Sequence, residues 1–142
     1  MKHRTYGVLF GALLWTVLAP AQAFNLSTHS ENPQIPDTEM RSTVLQAGAG
    51  SGIPDNANIK VYVYSHIIPT PKNDGQFVYF HRIELRKAFS EGKPYPYRGW
   101  LPIESVERYG LGDPDQSRAE FQQAVHDFFA KVNGIDPNVP VP

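Results

Sequence analysis

The sequence predicts an α+β fold, in which a small antiparallel β-sheet packs against one C-terminal amphipathic α-helix. Three observations predict it. Two segments rich in β-branched and aromatic residues flank a turn, which indicates a hairpin over about residues 59–85. Apolar residues with helical spacing follow at about residues 114–133. The whole chain has 142 residues, which is typical of a single small domain.

The first 23 residues have the three parts of a secretory signal peptide. A basic start at residues 1–4 precedes an apolar run at residues 7–18, and Ala21-Gln22-Ala23 forms an Ala-x-Ala cleavage site. A membrane anchor is the alternative, but a helix over residues 7–18 would be only about 18 Å long, against a hydrocarbon core of about 30 Å. The sequence therefore predicts cleavage after Ala23, and no later segment is apolar enough to span a membrane.

The composition of residues 24–142 narrows the class of protein. This part has 11 Lys and Arg against 14 Asp and Glu, a formal charge of −3. Nucleic-acid binding is not expected, because it depends on an excess of basic side chains. The chain has no cysteine, whereas small proteins exported into oxidising eukaryotic compartments usually depend on disulfides. We therefore expect a bacterial protein that is periplasmic or secreted.

Residues 24–58 are polar and contain several prolines and a Gly/Ala/Ser tract at residues 47–52. This composition predicts a flexible N-terminal arm and linker. The ordered α+β domain is expected over residues 59–136. Residues 137–142 contain three prolines and predict an extended tail.

The predicted hairpin has one face toward the core. Turn-forming residues at 69–75 separate two strand segments, 59–68 and 76–85. On the second strand, the residues expected toward the core are Phe77, Tyr79, His81, Ile83 and Leu85. The other face changes from Val78 and Phe80 to Arg82 and Glu84, so it should become solvated along its length.

The region after the hairpin is less regular in its pattern. Alternating prolines over residues 92–102 predict an extended, polyproline-like path without a regular ladder. Residues 103–109 fit either a strand or two helical turns. Asp113-Pro114 then predicts the start of the last helix, and Asn133-Gly134 predicts its end. The apolar stripe of this helix comprises Phe121, Val125, Phe128, Phe129 and Val132.

Two histidines form a candidate metal site. If the turn centres between Asn73 and Asp74, His66 lies directly opposite His81, with about 5 Å between their Cβ atoms. That separation would let them share a metal ion or a proton. Prolines at 69 and 71 also permit a wider turn that separates them, and no third ligand is evident. Two unrelated strand histidines remain the simpler interpretation.

The segment around residues 94–102 provides the candidate binding residues Tyr95, Tyr97, Arg98 and Trp100. Aromatic rings and a guanidinium group on a stiff backbone lose little entropy when they bind a protein surface or a sugar ring. The alternative is that the same aromatic side chains fold down as a lid over the sheet, with Trp100 and Leu101 in the core.

The sequence has none of the nucleotide-binding, nucleophile-elbow or zinc-protease motifs. It therefore favours an exported, non-catalytic binding or accessory protein that contacts a protein partner in the bacterial envelope and uses no cofactor. The alternatives are a metal-binding protein or small enzyme centred on the histidine pair, and a module that binds cell-envelope glycans.

Overall fold

The computed structural model describes residues 24–91 and 97–136, so the predicted signal peptide and tail lie outside the described residues. The elements are β1 (Leu26–Glu31), α1 (Asp37–Ala47), β2 (Ile59–Pro69), β3 (Phe77–Glu91), β4 (Tyr97–Gly112) and α2 (Pro114–Val132). The strands form one sheet in the order β1-β2-β3-β4. The predicted α+β class is confirmed. The sheet is mixed rather than antiparallel, because β1 runs parallel to β2.

The sequence predicts a flexible arm over residues 24–58, but this prediction is wrong. The segment contains β1 and α1. Ile35, Met40 and Val44 are fully buried and fix this segment to the core. Strand β1 reads Leu-Ser-Thr-His-Ser-Glu, so its sequence has little of the apolar content expected of a strand. It forms nevertheless because α1 provides the crossover that two parallel strands require.

The predicted hairpin is confirmed as β2 and β3, but its register differs by one residue from the one considered above. Ser65 pairs with His81, and His66 pairs with Phe80. The last pair is Pro69 with Phe77, so residues 70–76 form a turn with an odd number of residues. Asn73, at its middle, has a positive φ of 50°. Because the turn centres on Asn73 and not between Asn73 and Asp74, each residue of β2 pairs with a residue of β3 one position earlier than in the register considered above.

Strand β4 replaces the polyproline-like path that was predicted for residues 92–102. From Tyr97 onward the backbone pairs with β3, and residues 103–109 continue the same strand. Because β4 lies at the edge of the sheet, it tolerates Pro102, which has no N–H group to donate. The pairing shifts between Leu85 and Arg86, which produces a bulge at Ile103.

Helix α2 has the predicted start and end. The Asp113 side chain accepts a 2.8 Å hydrogen bond from the backbone N–H of Gln116, and Pro114 is the first helical residue. Gly134 has a φ of 95°, and Ile135 packs back against the core. Phe121, Val125 and Phe128 are buried in the cluster that contains Val61 and Val63 of β2. Phe80 lies on the opposite face of the sheet.

The core lies between one face of the sheet and the two helices. The central strands contribute Ile59, Val61, Val63, Ile83 and Leu85, all buried. Helix α1 ends at Ala47 and is capped by Gly48, where the backbone closely approaches two aromatic rings. A Cβ atom at Gly48 would lie 2.5 Å from the Phe24 ring and 2.6 Å from the Phe129 ring. This close approach requires glycine.

Candidate functional site

The face of the sheet opposite the helices, called the open face here, is a candidate binding surface. Strand alternation places every second residue of each strand on it. The register aligns these residues in rows across the sheet. From β2 the open face receives Lys60, Tyr62, Tyr64, His66 and Ile68, and from β3 it receives Val78, Phe80, Arg82, Glu84 and Arg86.

One end of the open face is apolar. Ile68, Val78 and Leu111 are direct neighbours across three strands, and Tyr109 lies opposite Phe80. Ile68, Val78, Tyr109 and Leu111 are 53%, 47%, 78% and 58% exposed. They are the only large apolar side chains of the described residues with such exposure. We call these four residues the apolar patch.

A cluster around Glu31 borders this patch on β1 and β2. The Tyr64 hydroxyl donates a 2.8 Å hydrogen bond to the Glu31 carboxylate. His66 Nδ1 lies 2.8 Å from the same carboxylate, and His29 Nε2 lies 3.4 Å from it. The hydrogen bond from Tyr64, with a smaller effect of His29, lowers the pKa of Glu31 below its usual value. The rings of His29, Tyr64 and His66 are nearly parallel.

Ion pairs cross the middle of the open face. Arg82 Nε lies 2.7 Å from a Glu107 carboxylate oxygen and 3.8 Å from Glu84. Arg86 Nε donates a 2.6 Å hydrogen bond to Glu84. The Arg86 guanidinium also lies over the Tyr62 ring. Charged and aromatic side chains thus alternate over the part of the face that lies beyond the apolar patch.

Three of the four predicted binding residues, Tyr97, Arg98 and Trp100, lie on β4 at the other end of the sheet. Tyr95 lies outside the described residues. The backbones of Tyr97 and Arg98 pair with Glu91 and Ser90. Trp100 lies opposite Ala88 and is partly buried, with the Lys60 ammonium 4.0 Å from its ring centroid. Trp100 therefore lies on the open face. The alternative in which it folds into the core is wrong.

The structure does not bring the predicted histidine pair together. His66 lies on the open face, whereas His81 is fully buried on the helix-packed face. A one-residue change of register moves a side chain to the other face of a sheet, and the odd-numbered turn produces that change here. Within residues 24–91 and 97–136, no three His, Asp or Glu side chains are grouped to hold a metal ion.

His81 instead belongs to a buried polar network that the sequence did not reveal. Its Nε2 donates to the Ser117 carbonyl oxygen at 2.9 Å. Nδ1 must then accept, and the Ser65 hydroxyl donates to it at 3.0 Å. Asn32 Nδ2 in turn donates to Ser65 Oγ at 3.0 Å. This network joins the end of β1, both hairpin strands and the first turn of α2.

The environment of His81 favours its neutral form. Burial lowers the pKa of His81 from 6.5 to about 4, and the hydrogen bond to Ser117 only partly opposes this effect. Ser65 and His81 have the spacing of a nucleophile and a base, but both side chains have no exposed surface. A substrate therefore has no access to this pair, and its role is structural.

Comparisons with known proteins identify no family for this chain. The sequence matches no protein-family model, and no curated protein matches it. One solved structure, of a candidate lipoprotein from Caulobacter crescentus CB15, aligns with 76% of this chain and 81% of its own chain, at 16% identity and a TM-score of 0.23. In the described part of the chain, neither helix is long and apolar enough to cross a membrane.

Proposed function

We propose that this chain is an exported protein of the bacterial envelope that binds a protein partner through the open face of its sheet and does not catalyse a reaction. The signal-peptide pattern of residues 1–23 and the absence of cysteine from the sequence support the location.

The apolar patch is the observation that carries the proposal. Its four members come from β2, β3 and β4, yet they lie together at one end of one face. Clusters of exposed apolar side chains are costly in water, and they often mark protein interaction sites. The helices pack on the opposite face, so no described element of this chain covers the patch.

The surroundings of the patch fit a protein interface better than a lipid surface. Glu31, Arg82 and Glu107 border the apolar side chains with charges of both signs. Protein interfaces commonly combine an apolar and aromatic centre with a polar rim. Phe80 and Tyr109 provide the aromatic groups that contribute strongly to such contacts.

The proposal is tested by co-purification from the native envelope. The bait is the full chain with a C-terminal tag, either unchanged or carrying Val78→Gln and Leu111→Gln. We expect the unchanged bait to retain a discrete partner and the double variant to lose about tenfold or more of it, since each buried apolar side chain contributes about 1.5–3 kcal/mol.

The matched control carries Gln122→Ala and Ala130→Gln on the exposed side of α2. It should retain the partner as the unchanged bait does. Equal recovery with the patch variant and the unchanged bait, at equal thermal stability, would reject the apolar patch as the contact.

A further inference from the structure

Two cationic side chains lie against aromatic rings at the end of the open face farthest from the apolar patch. Lys60 and Arg86 are direct neighbours across β2 and β3. The Lys60 ammonium is 4.0 Å from the centre of the Trp100 ring, and the Arg86 guanidinium carbon is 3.6 Å from the centre of the Tyr62 ring. These contacts hold both cations in defined positions before any ligand arrives.

The charges at this end of the face do not balance. Arg82 and Arg86 are matched by Glu84 and Glu107. Lys60 forms no ion pair within the described part of the chain. Burial, and then repulsion from Arg86, lowers the pKa of Lys60. An additional negative charge near Lys60 would offset the repulsion from Arg86 and favour the charged ammonium.

The neighbouring surface has room for a small ligand. A depression of about 570 Å³ beside the two cations is lined by Asn58, Lys87, Ala88 and Trp100, among others. Lys60 and Arg86 do not line it themselves, but Trp100, whose ring the Lys60 ammonium contacts, does. This volume is within the usual range for small-molecule sites. Ala88 lies between Trp100 and β2 in the row of side chains that crosses the sheet there. Because its side chain is only a methyl group, the indole of Trp100 can reach Lys60.

We propose that Lys60 and Arg86 form a binding site for a compact anion, the carboxylate or phosphate group of a small ligand that lies beside Trp100. Glu84 accepts from Arg86 Nε, and a guanidinium has five N–H donors, so Arg86 can serve Glu84 and a ligand together. Lys60 supplies the unmatched charge. This site is separate from the apolar patch and does not depend on a protein partner.

Trp100 provides a direct signal for the test. The sequence has two tryptophans, Trp15 and Trp100, so the full chain with Trp15→Phe reports on Trp100 alone. Sodium phosphate and sodium glucuronate are titrated separately, with sodium chloride keeping the ionic strength constant. We expect a saturable change of Trp100 emission with at least one probe, because the anion draws the ammonium from the indole. The two probes distinguish a phosphate ligand from a carboxylate ligand.

Variants and a second readout make the result specific to Lys60. Lys60→Gln should weaken the apparent affinity about tenfold or more, as expected for loss of a charged hydrogen bond, and Lys60→Arg should retain binding. Lys72→Gln, in the exposed turn at the other end of the sheet, should bind as the parent does. The bound probe should also protect Lys60, but not Lys72, from acetylation measured by mass spectrometry.

The proposal fails if neither probe gives a saturable change. It also fails if a change occurs but Lys60→Gln binds as tightly as the parent and Lys60 is acetylated at the same rate with and without probe. Co-purification of the protein partner tests the other end of the face, so the two proposals fail independently.

Discussion

At the scale of single residues, His81 shows how a titratable side chain can be buried in the core. Each of its ring nitrogens has a hydrogen-bond partner, and the ring contacts Phe121 of α2 edge-on. A neutral imidazole with both nitrogens satisfied is stable in an apolar interior. The same ring becomes unfavourable when protonated, because burial penalises the charge.

This arrangement predicts a pH-dependent stability. The pKa of His81 is lowered to about 4 from 6.5, so the unfolded chain binds more protons than the folded protein between these values. The contribution is complete above pH 6.5 and is lost as the pH falls toward 4. The full shift corresponds to about 3 kcal/mol. Urea denaturation at a series of pH values measures the loss.

His81→Gln removes the titrating group but keeps a donor and an acceptor. We expect this variant to be less stable than the parent at pH 7 and to have a flatter stability profile between pH 6.5 and 4. The exposed His126 provides the control, since His126→Gln should reproduce the parent profile. If the His81 variant lost stability with pH as steeply as the parent, the buried network would not be the cause.

The residue scale also shows what sequence patterns cannot provide. Alternation along β3 correctly predicted that Tyr79, His81, Ile83 and Leu85 face the core. It could not predict which residue of β2 lies opposite each of them, because pairing depends on the length of the turn. Because the turn centres on Asn73 rather than between Asn73 and Asp74, His66 and His81 lie on opposite faces of the sheet.

At the scale of elements, the sequence predicted the helices and strands that have clear local sequence signals and missed those that do not. Helix α2 has an N-cap, an apolar stripe and a C-terminal glycine, and its bounds agree with the prediction to within one residue. Strands β1 and β4 lack comparable signals. The first is mostly polar and depends on tertiary pairing with β2, and the second contains proline at an edge position.

The fold of residues 24–47 leads to a prediction about α1. Met40 is fully buried against the core, so Met40→Ala should lower the free energy of unfolding by about 2–5 kcal/mol. Gln46→Ala, on the exposed side of the same helix, should have an effect within about 0.5 kcal/mol. Chemical denaturation compares the two. Equal stability of the Met40 variant and the parent would mean that α1 does not pack as the structure shows.

At the scale of the whole molecule, Phe24 matters both for the proposed cleavage of the signal peptide and for packing of the core. This residue follows the proposed cleavage site directly and is 1% exposed, with its ring 5.9 Å from that of Phe129. A protein cleaved after Ala23 would therefore begin at a residue that belongs to the core.

We expect the exported protein to begin at Phe24. N-terminal sequencing of protein recovered from the periplasm or medium measures this. Ala23→Arg should block processing and leave a longer, cell-associated form, because the cleavage site requires small residues. Recovery of an uncleaved exported chain would contradict the proposed signal peptide.

The open face is the feature of the whole molecule that the sequence indicated least. Its members are spread over four strands, and they meet only through the sheet register. Alternation along the sequence of β3 alone showed that one side of this strand becomes polar toward its end. They did not reveal that Ile68, Val78 and Leu111 form one row, since β4 itself was not predicted over its full length.

The most direct test of the binding surface is site-specific photo-crosslinking in the intact native envelope. A photoreactive phenylalanine derivative replaces Tyr109, which is 78% exposed in the apolar patch, or Gln122 on the far side of α2. We predict one discrete protein adduct from position 109, none from position 122, and loss of the adduct when Val78→Gln and Leu111→Gln are added. No adduct from position 109, or the same adducts from both positions, would contradict the proposed role of the open face.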